Sequence, residues 1–242
     1  MSAEVSGSHP SPLVIIVMGV SACGKSTVAQ ALADGWSASS ASGREIRQTG
    51  AARLLDADDL HPPSNKAKMG AGIPLSDRDR APWLAALRAK ILEHVTEQRF
   101  RSQANPSSVH SSDQTSADNN ANIIHDDSHN ESNDSDAAKA PETLILACSA
   151  LRQLYRKVLA EGPDAHTGAS TAPSIAFVHL QAPFEVFDAR IRDRTGHFMP
   201  ASLLQSQFAL LEDPTLDSPR EYQVLAVDAR QSLDTIQIFV MA

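Results

Sequence analysis

Leu13–Thr27 reads LVIIVMGVSACGKST, and the fold is decided there. Leu13 to Met18 is an unbroken apolar run rich in β-branched residues. Such a run fits a strand covered on both faces, as in a parallel sheet. Gly19-Val20-Ser21-Ala22-Cys23-Gly24-Lys25-Ser26 follows at once and matches G-x-x-x-x-G-K-[ST] at every fixed position. The two fixed glycines let the backbone curl so that successive amide N–H groups face phosphate oxygens. A helix starting near Lys25 adds its N-terminal dipole to the same anion site, with Thr27 in its first turn. Lys25 is placed to reach the β- and γ-phosphates of ATP, and the Ser26 hydroxyl to ligate Mg²⁺. Position between a strand and a helix separates this loop from a chance glycine-rich turn.

The composition narrows the rest. The chain has 242 residues, 42% of them apolar, which is enough for one sizeable core. Aromatics make up only 5%, too few to suggest a base-stacking surface. The formal net charge is -8 and the pI about 5.5, which argues against nucleic-acid or anionic-membrane partners. Cys23 and Cys148, the only cysteines, sit in the phosphate loop and at the end of an apolar run. Neither position suggests a disulfide, so a reducing compartment is expected. No apolar run approaches the roughly 20 residues that span a bilayer. The lead 1–12, MSAEVSGSHPSP, has neither a basic n-region nor an apolar h-region. A soluble cytoplasmic protein with a short disordered lead is the expectation.

Strands are expected at 51–55, 143–147, 175–180 and 222–227, after the first at 13–18. Helices are expected at 28–33, 65–72, 77–100, 151–161, 183–194, 201–211 and 232–240. Such alternation means a parallel α/β sheet. The stripe Trp83, Leu84, Leu87, Ile91, Leu92 and Val95 reads as core packing. Pro82 fits the first turn of its helix. Ser/Gly-rich 34–50 reads as a loop. The stretch 101–140 is built of Ser, Asn, Asp, Gln and His and reads as a disordered insertion. Its His110, His125 and His129 read as solvated side chains rather than a metal site. Asp56, Asp58 and Asp59 fall at the carboxyl end of the second strand, where an open parallel sheet forms its binding crevice.

Four segments resemble the gluconokinases, a family of P-loop small-molecule kinases similar to shikimate and nucleoside-monophosphate kinases. They are GVSACGKST at 19–27, DADDLHPPSNKAKMGAGIPLSDRDRAPWL at 56–84, CSALRQLYR at 148–156, and RTGHFMPASLLQSQFALLEDP at 194–214. The second and fourth are long and far more specific than the phosphate loop. The resemblance implies a three-layer P-loop kinase fold, with a five-stranded parallel sheet, helices on both faces and a mobile lid. It makes 13–242 a single kinase domain, interrupted at 34–50 and 101–140. It implies ATP-dependent phosphorylation of D-gluconate to 6-phospho-D-gluconate, feeding the pentose phosphate pathway, often by a homodimer.

Phosphoryl transfer needs positioning and charge neutralisation more than covalent chemistry. Asp58 is the candidate base toward the substrate hydroxyl, and Asp56 the candidate for the Mg²⁺ shell. Asp59 competes for either role, and one of the three is free to cap the following turn instead. His61, Lys66, Arg80 and Arg152 lie in the matching segments and suit a small polyol acid, Arg being able to grip a carboxylate in bidentate fashion. Lys68 and Arg78 read as ordinary surface pairs. Arg190, Arg194 and His197 match the region that closes as a lid, where arginines neutralise charge on the transferring phosphoryl group. Arg190 is also a candidate nucleotide contact, and Arg192 reads as a solvated helix face. Cys23 stands where small residues are usual, and a packed, inert thiol is expected.

Two other readings stay open on the residues alone. One is a related kinase for another small hydroxy acid, shikimate or a nucleotide. The other is a nucleotide-binding regulatory protein without turnover. The segment 56–84 argues against the first. Lys25, Ser26, Asp58 and Arg194 together argue against the second.

Overall fold

The computed structural model describes residues 13–42, 51–103, 142–161, 174–193, 201–217 and 222–241. Five strands form one parallel sheet in the order β2-β3-β1-β4-β5. They are β1 (Leu13–Met18), β2 (Ala52–Asp56), β3 (Thr143–Ala147), β4 (Ser174–Gln181) and β5 (Gln223–Asp228). The helices are α1 (Lys25–Ser42), α2 (Pro63–Gly70), α3 (Asp77–Gln103), α4 (Gln153–Ala160), α5 (Phe184–Asp193), α6 (Ala201–Leu210) and α7 (Leu233–Met241). Among the described residues no helix is long and apolar enough to cross a membrane.

β1 is central because both its faces are apolar. Val14, Ile16 and Met18 pack with Trp83, Leu87 and Ile91 of α3 and with Phe177 and Tyr222. Ile15 and Val17 pack on the other face with Leu32 of α1, Phe187 of α5 and Ile236 of α7. The alternation of side chains along a strand thus feeds two cores and gives three layers. Each such large apolar side chain, fully buried, contributes roughly 1.5–3 kcal/mol. β1 pairs with β3 on one side and β4 on the other, Val14 lying opposite both Leu144 and Ile175. The chain leaves β1 toward β2 on one side, and leaves the neighbouring β3 toward β4 on the other, so the two crossovers run in opposite directions and open a crevice at the carboxyl ends of β1 and β3.

The structure corrects two boundaries and the placement of one proline. The expected loop at 34–50 begins instead as helix, since α1 runs on to Ser42. Alanine and serine without apolar periodicity look like a linker, but Trp36 is buried. Gly35 lets α7 come close: a Cβ there would fall 1.7 Å from Gln237 Nε2, which donates to the Ala31 carbonyl at 2.8 Å. Residues 43–50 lie outside the described residues. α3 likewise extends to Gln103, so the first residues of the expected 101–140 insertion are helical. The remainder of that insertion and the lead 1–12 lie outside the described residues. Pro82 falls in the second turn of α3 rather than the first, and the helix continues through it. The start of α3 is capped reciprocally: the Asp79 N–H donates to Ser76 Oγ at 3.3 Å, and the Ser76 N–H to Asp79 Oδ2 at 2.9 Å.

Candidate active site

The turn after β1 is held from below before any ligand arrives. The Gly19 N–H donates to the Ser149 carbonyl after β3 at 3.3 Å. Gly19 has φ +143°, and a Cβ there would meet Cys23 Sγ at 2.8 Å and the Leu180 carbonyl at 2.9 Å. Glycine is required on both counts. Ala22 also takes a positive φ, +60°, to turn the loop. Cys23 is buried under it, and burial pushes its thiol pKa up. Cys148 is pushed up to about 12 by the same cause. Both thiols are packed and inert at neutral pH.

A cleft of about 1080 Å³ opens above this loop. Ser21 to Val28 form one wall. Asp58, Lys66, Met69 and Gly70 form a second, and Arg190, Ala229, Gln231, Leu233 and Ile236 a third. Lys25 Nζ donates to the Val20 carbonyl at 3.0 Å. Ser26 Oγ donates to Asp56 Oδ2 at 2.8 Å, joining the loop to the end of β2. Asp56 Oδ1 accepts the Asp58 N–H at 3.0 Å, so Asp56 also caps the 3-10 turn Ala57–Leu60. That turn aims Asp58 into the cleft with its side chain 80% exposed. Asp59 is exposed and offers its backbone carbonyl to Lys66 Nζ at 3.2 Å.

Arg190 is already engaged. Its Nη2 donates to the Ala229 carbonyl at 2.6 Å and its Nη1 to the Cys23 carbonyl at 3.4 Å. It ties the phosphate loop to the turn after β5. His61 lies beside Asp58, with Nε2 4.0 Å from Oδ1. Burial lowers its pKa, Asp58 opposes that, and Arg80 and Lys66 add to the lowering.

Arg80 and Arg152 form a separate group and are not among the described residues that line the cleft. Arg152 Nη1 pairs with Asp77 Oδ2 at 2.5 Å and its Nε with Glu212 Oε1 at 3.1 Å. Tyr155 donates its hydroxyl to the same Asp77 carboxylate. Arg80 donates to the Leu75 carbonyl at 2.5 Å and stands 5.8 Å from the Tyr155 ring centre. Lys68 pairs with Asp79 at 2.6 Å, Arg192 with Asp188 at 2.5 Å, and Arg78 is exposed, in line with their expected surface roles. Arg194 and His197 lie outside the described residues.

Two features went unread in the sequence. Gln207 of α6 accepts the Ser21 N–H through Oε1 at 2.6 Å. No local pattern links residues so far apart. Gln231, Leu233 and Ile236 supply a partly apolar wall facing the loop, suited to a flat heterocycle. Their apolar spacing reads as a closing helix.

No family model matches the chain. Among curated proteins it is 34% identical to the gluconokinase of Gluconobacter oxydans (strain 621H), over 86% of this chain and 80% of that protein. It is 33% identical to the gluconokinase of Arabidopsis thaliana, over 82% of this chain and 77% of that protein. Among solved structures it resembles a gluconokinase from Sinorhizobium meliloti 1021, with TM-score 0.57 and 32% identity over 96% of this chain and 91% of that one.

Proposed function

This chain belongs to the gluconokinase family, and from that premise we propose that its cleft binds ATP and D-gluconate side by side and yields 6-phospho-D-gluconate. The enzyme is a kinase that transfers a phosphoryl group to an alcohol. The observation that carries the site reading is the joint opening of Lys25, Ser26 and Asp58 onto one cleft beside the phosphate loop. In this reading the loop amides and Lys25 hold the phosphates. Asp58 accepts the proton of the gluconate hydroxyl as its oxygen bonds to the γ-phosphorus and the bond to ADP breaks. Arg190 contacts the nucleotide, and Arg194 neutralises charge on the moving phosphoryl group. Lys66, His61 and His197 serve the sugar acid, while Arg80 and Arg152 stand outside the described cleft lining, in the adjoining group around Asp77 and Tyr155.

The Ser26 hydroxyl and the Asp56 carboxylate, 2.8 Å apart, are hard oxygen donors of the kind Mg²⁺ takes. That pair would hold the ion, which supplies charge neutralisation at the phosphates when bound. The buried free thiols Cys23 and Cys148 support a reducing, cytoplasmic location.

The test is ADP release measured over a panel of sugar acids, shikimate and nucleoside monophosphates, with wild type and Asp58→Asn. Selective turnover of gluconate, lowered about 10²- to 10⁴-fold in Asp58→Asn, is expected. Preference for another acceptor would overturn the substrate, and full activity in Asp58→Asn the role of Asp58.

A further inference from the structure

Asp58 stands on a short turn with its side chain largely in solvent, where a carboxylate has many rotamers. A base must be aimed, and the structure contains a chain of groups suited to aiming it. Asn65, in α2, is buried, with 2% of its surface exposed. Its Nδ2 lies 2.8 Å from the Asp79 carbonyl oxygen. An oxygen cannot sit against an oxygen at that distance, so this atom is the NH₂ and the amide orientation is fixed. The same Nδ2 lies 3.4 Å from His61 Nδ1. Nδ1 is therefore the acceptor, and the neutral ring carries its proton on Nε2. Nε2 faces Asp58 Oδ1 at 4.0 Å, one small rotation of an exposed side chain from a hydrogen bond.

The ring itself is clamped. It stacks on Trp83 with centroids 4.3 Å apart and planes 9° apart. Trp83 Nε1 donates to the Ala57 carbonyl at 2.7 Å, so one fully buried indole holds both the turn that carries Asp58 and the imidazole beside it. Burial lowers the pKa of the imidazole and so favours its neutral form.

We propose that His61 is a positioning residue that donates Nε2–H to Asp58 and aims its carboxylate at the substrate hydroxyl, with Asn65 fixing the tautomer. This refines its placement among the sugar-acid contacts and rests on the reading of Asp58 as the base.

The experiment compares His61→Phe, His61→Gln, Asp58→Asn and the double variant Asp58→Asn/His61→Phe in steady-state kinetics with gluconate and ATP. Phenylalanine keeps the stack on Trp83 and loses the donor. Glutamine loses the ring but carries an N–H about as far from the backbone as Nε2. A hydrogen bond to a charged group sets the expected loss for His61→Phe at about 10- to 100-fold in kcat, with both KM values little changed. His61→Gln recovers most of that loss although its Tm is the lower of the two. In the Asp58→Asn background His61→Phe adds no further loss. Equal loss in Phe and Gln variants of equal Tm would mean that only packing matters. A raised gluconate KM at normal kcat would make His61 a direct substrate contact. Normal turnover in Asp58→Asn would sink the base assignment and this proposal with it. Loss in His61→Phe that persists in the Asp58→Asn background would overturn this proposal alone.

Discussion

Replacing Arg156 by methionine should be among the most damaging single changes outside the cleft, and the structure gives its size. The Arg156 side chain is 0% exposed and its partner Asp217 4%. Nε meets Asp217 Oδ2 at 2.5 Å and Nη2 meets Oδ1 at 3.1 Å, a bidentate pair. Nη1 donates to the carbonyls of Ala150 at 3.0 Å and Leu151 at 3.1 Å. Asp217 also accepts the Tyr222 hydroxyl at 2.6 Å. Burial alone would raise the Asp217 pKa, but the hydrogen bonds from Arg156 and Tyr222 overcome it and hold the group ionised. Methionine fills much of the volume but leaves a buried carboxylate without its counter-charge. Breaking one side of such a pair costs about 3–5 kcal/mol. For a domain of this size that is a fall in Tm of roughly 6–20 °C. The assay is urea unfolding and thermal denaturation of Arg156→Met, Asp217→Leu and the double variant. The double should be more stable than the sum of the singles, because an apolar pair leaves no orphaned charge. Its recovery should be partial, since two backbone carbonyls and the Tyr222 hydroxyl still lose their partner. An Arg156→Met protein within about 1 kcal/mol of wild type, or singles that simply add, would refute this reasoning.

Three further outcomes are expected. Lys25→Ala should abolish phosphoryl transfer and keep the wild-type Tm, because among the described residues Lys25 donates only to the Val20 carbonyl; normal turnover in the folded variant would exclude this loop as the ATP site. Replacing 106–139 by a short Gly/Ser linker should leave activity and Tm nearly unchanged. The roots are already pinned, since Gln98 Oε1 accepts the Glu142 N–H at 2.9 Å and His94 Nε2 lies 3.0 Å from the Glu142 carbonyl; a large loss of stability would show that the stretch packs on the domain. Acidification should destabilise the fold early, because burial lowers the pKa of His61, His94 and His179. A folded pKa below the unfolded value means the stability is whole above about pH 6.5 and is lost as pH falls toward the depressed values. Tm should therefore decline between pH 6.5 and 5, and a flat profile there would count against three neutral buried imidazoles.

All five strands were legible because each is a short run rich in apolar or β-branched residues, bounded by turn residues and alternating with helical stretches. The phosphate loop was legible because its chemistry fixes its spacing. The second half of α1 was not. Its helicity rests on Gly35 admitting α7 and on the burial of Trp36, contacts between residues far apart in the chain. The Gln207–Ser21 hydrogen bond was hidden for the same reason. The roles of the arginines were only half legible. Residue type marks Arg80 and Arg152 as anion binders, but the carboxylates of Asp77 and Glu212 that hold Arg152 are visible only in three dimensions. Asp56 shows the opposite case, where two readings, cap and cation ligand, prove compatible because each uses a different oxygen.

The most direct measurement is to incubate the full chain with Mg·ATP and D-gluconate and identify the product by phosphorus NMR and mass. A phosphomonoester on the primary hydroxyl at carbon 6 is expected, formed one for one with ADP, and about 10²- to 10⁴-fold more slowly with Asp58→Asn. ADP release without a phosphorylated sugar acid, or a phosphate on another acceptor, would contradict it.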